Sequence, residues 1–218
     1  MFGRRKLALL VAEFLGTGVL AFTVLNVSHS TLGIPYFVAF AVGLVVALMG
    51  LGLAQDVQLN PALTLGLWTA RQIKTTKAAA YIAVQLLGGW AAYALYKYFT
   101  NTPVQGLPHT FDSRILVGEA VGAFVFMFLA SGVGFQKRLP VIRATTAGGA
   151  LALGVIVASV ASPGSFLNPA VALAAHSWVW GTYVLGPVLG GVIGVNLYGL
   201  LFAPSKAELA AASTKSKK

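Results

Sequence analysis

The chain contains no cysteine among its 218 residues. Disulfide staples, thiolate metal sites and cysteine nucleophiles are therefore excluded. Charge is also scarce. Fifteen Lys and Arg and five Asp and Glu make up 9% of the residues, where a soluble domain carries about 25%. So few charges cannot cover a water-facing surface. The hydrophobic share is 57%, so lipid is the natural solvent for most of the surface. The three histidines and the few carboxylates form no group at metal-ligand spacing, and no nucleophile stands beside a base. No metal site, cofactor or catalytic constellation is expected, and the chain does not read as an enzyme.

What is present is a series of long apolar runs. A spanning helix needs about 20 mostly apolar residues. Six such stretches are readable, at about 7–27, 33–53, 77–99, 113–135, 143–161 and 182–203. They predict an all-α membrane protein, one domain over 1–204, with a flexible basic cytoplasmic tail at 205–218. The net charge of +10 suggests nucleic acid only if its placement is ignored. Short cytoplasmic loops carry excess Lys and Arg. With the N-terminus inside, Arg4, Arg5, Lys6, Arg71, Lys74, Lys77, Lys137, Arg138, Arg143, Lys206, Lys215, Lys217 and Lys218 all fall inside, and only Lys97 and Arg114 fall outside. The charge is a topology signal, both termini are expected in the cytoplasm, and nucleic acid is not an expected partner. A signal peptide at Arg4-Arg5-Lys6 is disfavoured, because the following run is long and contains Glu13.

The two halves echo each other. Ala12-Glu13-Phe14-Leu15-Gly16 is answered by Gly118-Glu119-Ala120-Val121-Gly122, and Leu59-Asn60-Pro61-Ala62 by Leu167-Asn168-Pro169-Ala170. Leu87-Gly88-Gly89 with Tyr96 is answered by Leu189-Gly190-Gly191 with Tyr198. The repeats cover about 7–99 and 113–203. Each holds three spans, an odd number, so the second must enter the membrane from the opposite side. Such inverted repeats place the functional site near the midplane. The glycines of spans three and six (Gly88, Gly89, Gly190, Gly191, Gly194) suit close helix packing.

Residues 60–70 and 168–177 are apolar, begin with Asn-Pro and are too short to span. Asn is a favourable N-cap, and Pro fits the first helical position because its missing N–H would be unpaired there. Both segments read as half-helices. Inverted symmetry points their N-termini at each other, each carrying about half a positive charge from its macrodipole. Broken backbone at this depth is tolerated only when it is buried or lines a water-filled path. A pore follows, with a central potential that repels cations and orients any molecule offering an oxygen acceptor.

On these residues the chain resembles the aquaporin (major intrinsic protein) family over nearly its full length. The matching pieces are Ala12 to Thr17, the boxes Asn60-Pro61-Ala62 and Asn168-Pro169-Ala170, Tyr81 to Gly88, Glu119 with Phe124 to Phe128, and Gly186-Pro187 to Gly190. Each box follows a membrane glutamate by 47 or 49 residues, which makes the pair far more specific than either alone. The resemblance implies an hourglass of six spans and two re-entrant half-helices, and a homotetramer in the cell (plasma or inner) membrane, embedded in lipid. It implies that Asn60 and Asn168 hydrogen-bond the permeating molecule. It also implies that Glu13 and Glu119 brace the half-helix loops. A proton relay is the competing role for those carboxylates, and it would make the chain a proton-coupled transporter.

The sequence departs from the family at the constriction. The Arg that follows the second box in the family is Val171 here. Gap-free counting from the boxes gives Phe40, Ile156 and Ser165 as the other filter positions, with Val42 replacing Phe40 if the alignment shifts. The expected filter is apolar, with one hydroxyl and no fixed charge. The residue after Val171 is Ala172, not the Asp that marks glycerol channels, and Gln55-Asp56-Val57-Gln58 stands where the family has a Ser-Gly-x-His pattern. The expected function is passive conduction of water and small neutral solutes. The alternative is a neutral-solute channel for glycerol, urea, ammonia or dissolved gas with low water permeability. Trp178, Trp180 and Tyr183 read as an interfacial aromatic belt. His29, His109 and His176 are placed in or near the outer loops.

Overall fold

The computed structural model describes residues 3–30, 35–53, 57–104, 106, 110–136, 138–161 and 164–204. Asp56, His109 and the tail 205–218 lie outside them. The described chain is helical throughout: α1 (Arg4–Ser28), α2 (Pro35–Gly52), α3 (Pro61–Thr69), α4 (Thr75–Thr100), α5 (Ser113–Phe135), α6 (Pro140–Ala158), α7 (Pro169–Ala174) and α8 (Leu185–Phe202). A π-helical turn, Trp180–Val184, leads into α8. In a regular α-helix the Pro187 ring would clash with the carbonyl four residues earlier, and a widened turn there relieves it.

Five of these elements (α1, α4, α5, α6, and α8 with its π-turn) are long and apolar enough to cross a bilayer; α2 is apolar and shorter. The six runs read from the sequence coincide with these helices. Their outer faces carry unpaired apolar side chains. Leu7, Val11, Leu15 and Val19 form an exposed stripe on α1, and Phe40, Leu44 and Leu48 form one on α2. Spacing by four residues puts each set on one helix face, which is the pattern expected of a lipid-facing or subunit-facing surface.

Inside, α1 packs on α4 and α5 on α8, while α6 packs on both α2 and α5. The half-helices cross over: α3 lies against α8, and α7 against α4. Glycine permits the closest of these approaches. A Cβ on Gly190 would collide with the Ala120 carbonyl, and one on Gly89 with the Ala170 carbonyl at the head of α7. Gly191 is the repeat equivalent of Gly89 and stands correspondingly close to the Ala62 carbonyl at the head of α3. Tyr183 does not join an interfacial belt. It is 1% exposed and packs edge-on to Phe166, so its ring supports the second loop. Trp178 and Trp180 meet edge to face at the same end, with Trp180 exposed.

Candidate functional site

Both short helices start the same way. Asn60 and Asn168 adopt extended backbone and cap them, accepting from the Ala62 and Ala170 amides at 2.8 and 3.0 Å, with Pro61 and Pro169 next in line. Such a cap contributes about 1 kcal/mol. The residue before each Asn is strained: Leu59 has φ 56° and Leu167 has φ 53°. A left-handed conformation costs a non-glycine residue roughly 1–2 kcal/mol, so neighbouring bonds must hold it.

Those bonds come from two sides. The Glu13 carboxylate accepts from the Gln58 and Leu59 amides at 2.7 and 2.8 Å and from Gln85 Nε2 at 2.7 Å. The Glu119 carboxylate accepts from the Phe166 and Leu167 amides, both at 2.7 Å. Each left-handed turn thereby aims its own N–H at a glutamate on its own half. It aims its carbonyl across the midplane. Asn60 Nδ2 donates to the Leu167 carbonyl and Asn168 Nδ2 to the Leu59 carbonyl, each at 2.8 Å. The Leu59 side chain seats over Gly16, and that of Leu167 over Gly122 and Gly154, where a Cβ would intrude. Glu13, Glu119 and both asparagines are buried, at 2% exposure or less. Each side-chain amide has two hydrogens and uses one on the opposite loop, which leaves one N–H per asparagine.

Cavities open on either side of this junction. On the face where the described chain begins and ends, a vestibule of about 310 Å³ is lined by Val46, Val57, Gln58, Leu63, Ser131, Lys77 and Arg143, among others. On the other side a cavity of about 10 Å³ is lined by Leu20, Val24, Val38, Val42, Leu151, Val155, Ser165, Phe166, Asn168 and Val171. That volume is at the lower limit for a single water. Of the four filter positions counted from the boxes, Ser165 and Val171 line this narrow cavity and Phe40 and Ile156 do not. Phe40 is 65% exposed and Ile156 37%, both on outward faces. Val42 and Val155 occupy the inward positions, and Val42 is the residue that the shifted alignment supplies. No gap-free count can foresee a helix phase that differs by one or two residues.

The sequence reading missed the polar chain behind the first half-helix. Gln85 and Thr64 are fully buried, and Thr64 Oγ1 bonds to Gln58 Oε1 at 2.7 Å and lies 3.1 Å from Gln85 Nε2. The second half has no counterpart, since repeat spacing puts Pro187 at the place of Gln85 and Ala172 at that of Thr64. Three buried polar residues at matching depth on three elements were the available signal. Among the histidines, His29 closes the end of α1 with Nδ1 2.8 Å from the Leu25 carbonyl, and exposed His176 lies over the Tyr93 ring at 4.1 Å. Among the described residues no group of His, Asp and Glu is placed to hold a metal ion.

This arrangement is matched elsewhere. Residues 4–198 fit the family profile described as Major intrinsic protein. The chain is 27% identical to Aquaporin AqpM of Methanothermobacter thermautotrophicus, covering 88% of this chain and 96% of that protein. It is 30% identical to Aquaporin NIP1-3 of Oryza sativa (92% and 76% covered) and 29% identical to Aquaporin Z of Photorhabdus laumondii (91% and 98%). In fold it superposes on the aquaglyceroporin from Plasmodium falciparum with a TM-score of 0.67 at 18% identity, covering 95% of this chain and 99% of that one. Two capped half-helices locked head to head, in a chain matched over residues 4–198 by that profile, place this protein in the major intrinsic protein family.

Proposed function

We propose that the path from the vestibule, past Asn60 and Asn168, to the narrow cavity conducts water and small neutral solutes passively, down their own gradients. One observation carries this reading. Two half-helix N-termini meet in a spanning bundle, each led by an asparagine with one amide N–H still available. A carbonyl or hydroxyl oxygen is welcome there, and a cation meets two positive helix ends and, among the described residues, no carboxylate that is not already held by loop amides. Glu13 and Glu119 are committed to loop amides, which supports a bracing role over a proton relay. The vestibule, with Lys77 and Arg143, is assigned to the cytoplasmic side by the positive-inside rule. The similarity to aquaporins extends the proposal to a homotetramer in the cell membrane, with one path per chain formed by residues 1–204.

The filter is assigned to Val42, Val155, Ser165 and Val171. This apolar ring favours a second reading, a neutral-solute channel that passes water slowly, because a dry constriction resists wetting. Stopped-flow light scattering on proteoliposomes separates the two. Water flux well above that of empty liposomes supports the first. Flux equal to empty liposomes, with rapid uptake of glycerol or urea, supports the second. Uptake that requires a pH gradient contradicts both.

A further inference from the structure

We infer that Val24 of α1 is a specificity-determining residue: with Val42 and Val155 it closes a valine ring that sets the largest solute the narrow cavity admits, and smaller side chains at the repeat-related positions are what make the opposite mouth wide. The inference rests on the reading of this passage as the permeation path.

The two cavities are one design built twice, and the repeat supplies the register for comparing them. Glu13 and Glu119 hold equivalent loops, so α1 maps onto α5 at an offset of 106 residues. Gly43 and Gly148 meet reciprocally. A Cβ on either would strike the other's carbonyl, and the one on Gly43 would also meet Ala152 while the one on Gly148 would meet Ala47. Both pairs are 105 residues apart, so α2 maps onto α6 at that offset. The two Asn-Pro-Ala boxes map at 108.

On this register the linings line up. Val24 of the narrow cavity answers Ala130 of the vestibule, Val42 answers Ala147, and Val155 answers Gly50. Three walls thus lose branched bulk together on the wide side. Other exchanges largely cancel: Leu63 is larger than Val171, Arg143 is larger than Val38, and Val46 is smaller than Leu151 by one methylene. Phe166 answers Gln58 and is packed on Tyr183. The backbone repeats, yet one cavity measures about 310 Å³ and the other about 10 Å³, a contrast that the valine positions account for.

Val24 is placed for this role by helix phase. Glu13, Thr17, Leu20 and Val24 recur at helical spacing and are all buried, whereas the exposed stripe of α1 runs through Leu15 and Val19. Counting outward from the boxes reaches α2, α6 and α7 but never α1, so the position escapes that count.

The test is stopped-flow water and glycerol permeability of full-length protein in liposomes, with thermal unfolding checked for each variant. One methylene in a tight apolar pocket shifts discrimination by about ten-fold or more. Val24→Ala, which installs the side chain of the wide side, is expected to raise glycerol uptake about ten-fold, and Val24→Leu to lower water flux by a similar factor. Ala130→Val adds more carbon than Val24→Leu does, but in the vestibule, and is expected to lose less than half its water flux. Glycerol uptake unchanged in Val24→Ala overturns the assignment. Loss of flux in both Val24→Ala and Val24→Leu overturns it as well, since a packing role moves both the same way and a width role moves them oppositely. Equal loss in Ala130→Val and Val24→Leu overturns the asymmetry. Wild-type liposomes no more permeable than empty ones to water and to glycerol would sink the channel reading itself, a failure distinct from any difference among variants.

Discussion

Val171 is 2% exposed and faces the narrow cavity beside Ser165 and Asn168. It follows Ala170 directly, so its side chain leaves α7 one position after the box, at the edge of the proposed path. An apolar side chain there offers no donor and no charge, so at the proposed filter width and wetting are left to discriminate. Val171→Arg places a long, permanently charged fork in a space of about 10 Å³. The guanidinium must extend along the path, narrowing it and adding a cation barrier. The variant is expected to reduce glycerol and urea uptake by roughly ten-fold or more, since one unfavourable charge–size contact of about 1.4 kcal/mol already gives that factor. Stopped-flow shrinkage with each solute reads it directly, and unchanged uptake would remove Val171 from the constriction. Strain at the neighbouring residues has a different purpose. Leu59 and Leu167 sit at positive φ because only that turn sends the N–H to a glutamate and the carbonyl to the opposite asparagine.

At the scale of elements, the bundle depends on how closely helices approach. Gly190 and Gly149 are both glycines inside helices, yet their surroundings differ. A Cβ at 190 would run into the Ala120 carbonyl of α5, whereas one at 149 would meet nothing within 4 Å. Gly190→Ala must push α8 from α5 and is expected to destabilise by about 1–3 kcal/mol. Gly149→Ala only gains helix propensity and is expected to be neutral or stabilising by up to about 1 kcal/mol. Thermal unfolding in detergent, compared between the two, checks the contrast; equal effects would mean that the α5–α8 approach is not limiting. These elements were largely legible beforehand. Long apolar runs mark spanning helices because a bilayer demands length and apolarity together, and Asn-Pro marks a helix start because capping is local. The paired glutamates were legible through their repeat. Side-chain phase at the proposed filter was not. Phe40 and Ile156 follow from counting residues, while the structure turns Val42 and Val155 inward, because which face of α2 and α6 looks in is decided by packing of α2 on α6. The exposed run Phe40, Leu44, Leu48 was the available hint, four-residue spacing on one face. The Gln58–Thr64–Gln85 chain was also hidden, since Gln85 lies on another helix and reaches Thr64 only when α3 and α4 pack.

For the molecule as a whole, the repeat makes the backbone symmetric while the chemistry of its two sides is not. One mouth is wide and carries Gln58, Lys77 and Arg143; the other is a valine-lined slot. Flow through a series of resistances is governed by the narrowest, so reagents acting at the slot should dominate those acting at the vestibule. The absence of cysteine supplies a clean probe of this. Mercurials attack thiolates, and the native chain presents none, so its water or solute flux is expected to be unaffected by mercuric chloride. Ser165 lines the slot, and Ser165→Cys exchanges an oxygen for a sulfur with little change of shape. A mercury atom on that sulfur would fill a space that holds about one water. Flux in Ser165→Cys is expected to fall to the level of empty liposomes on treatment and to recover with a thiol reductant. Ser131→Cys, in the vestibule of about 310 Å³, leaves room for solute to pass a bound mercury and is expected to lose less than half its flux. Equal block at both positions would place the resistance elsewhere than the slot, and block of the native chain would mean that mercury acts through a group other than a thiol.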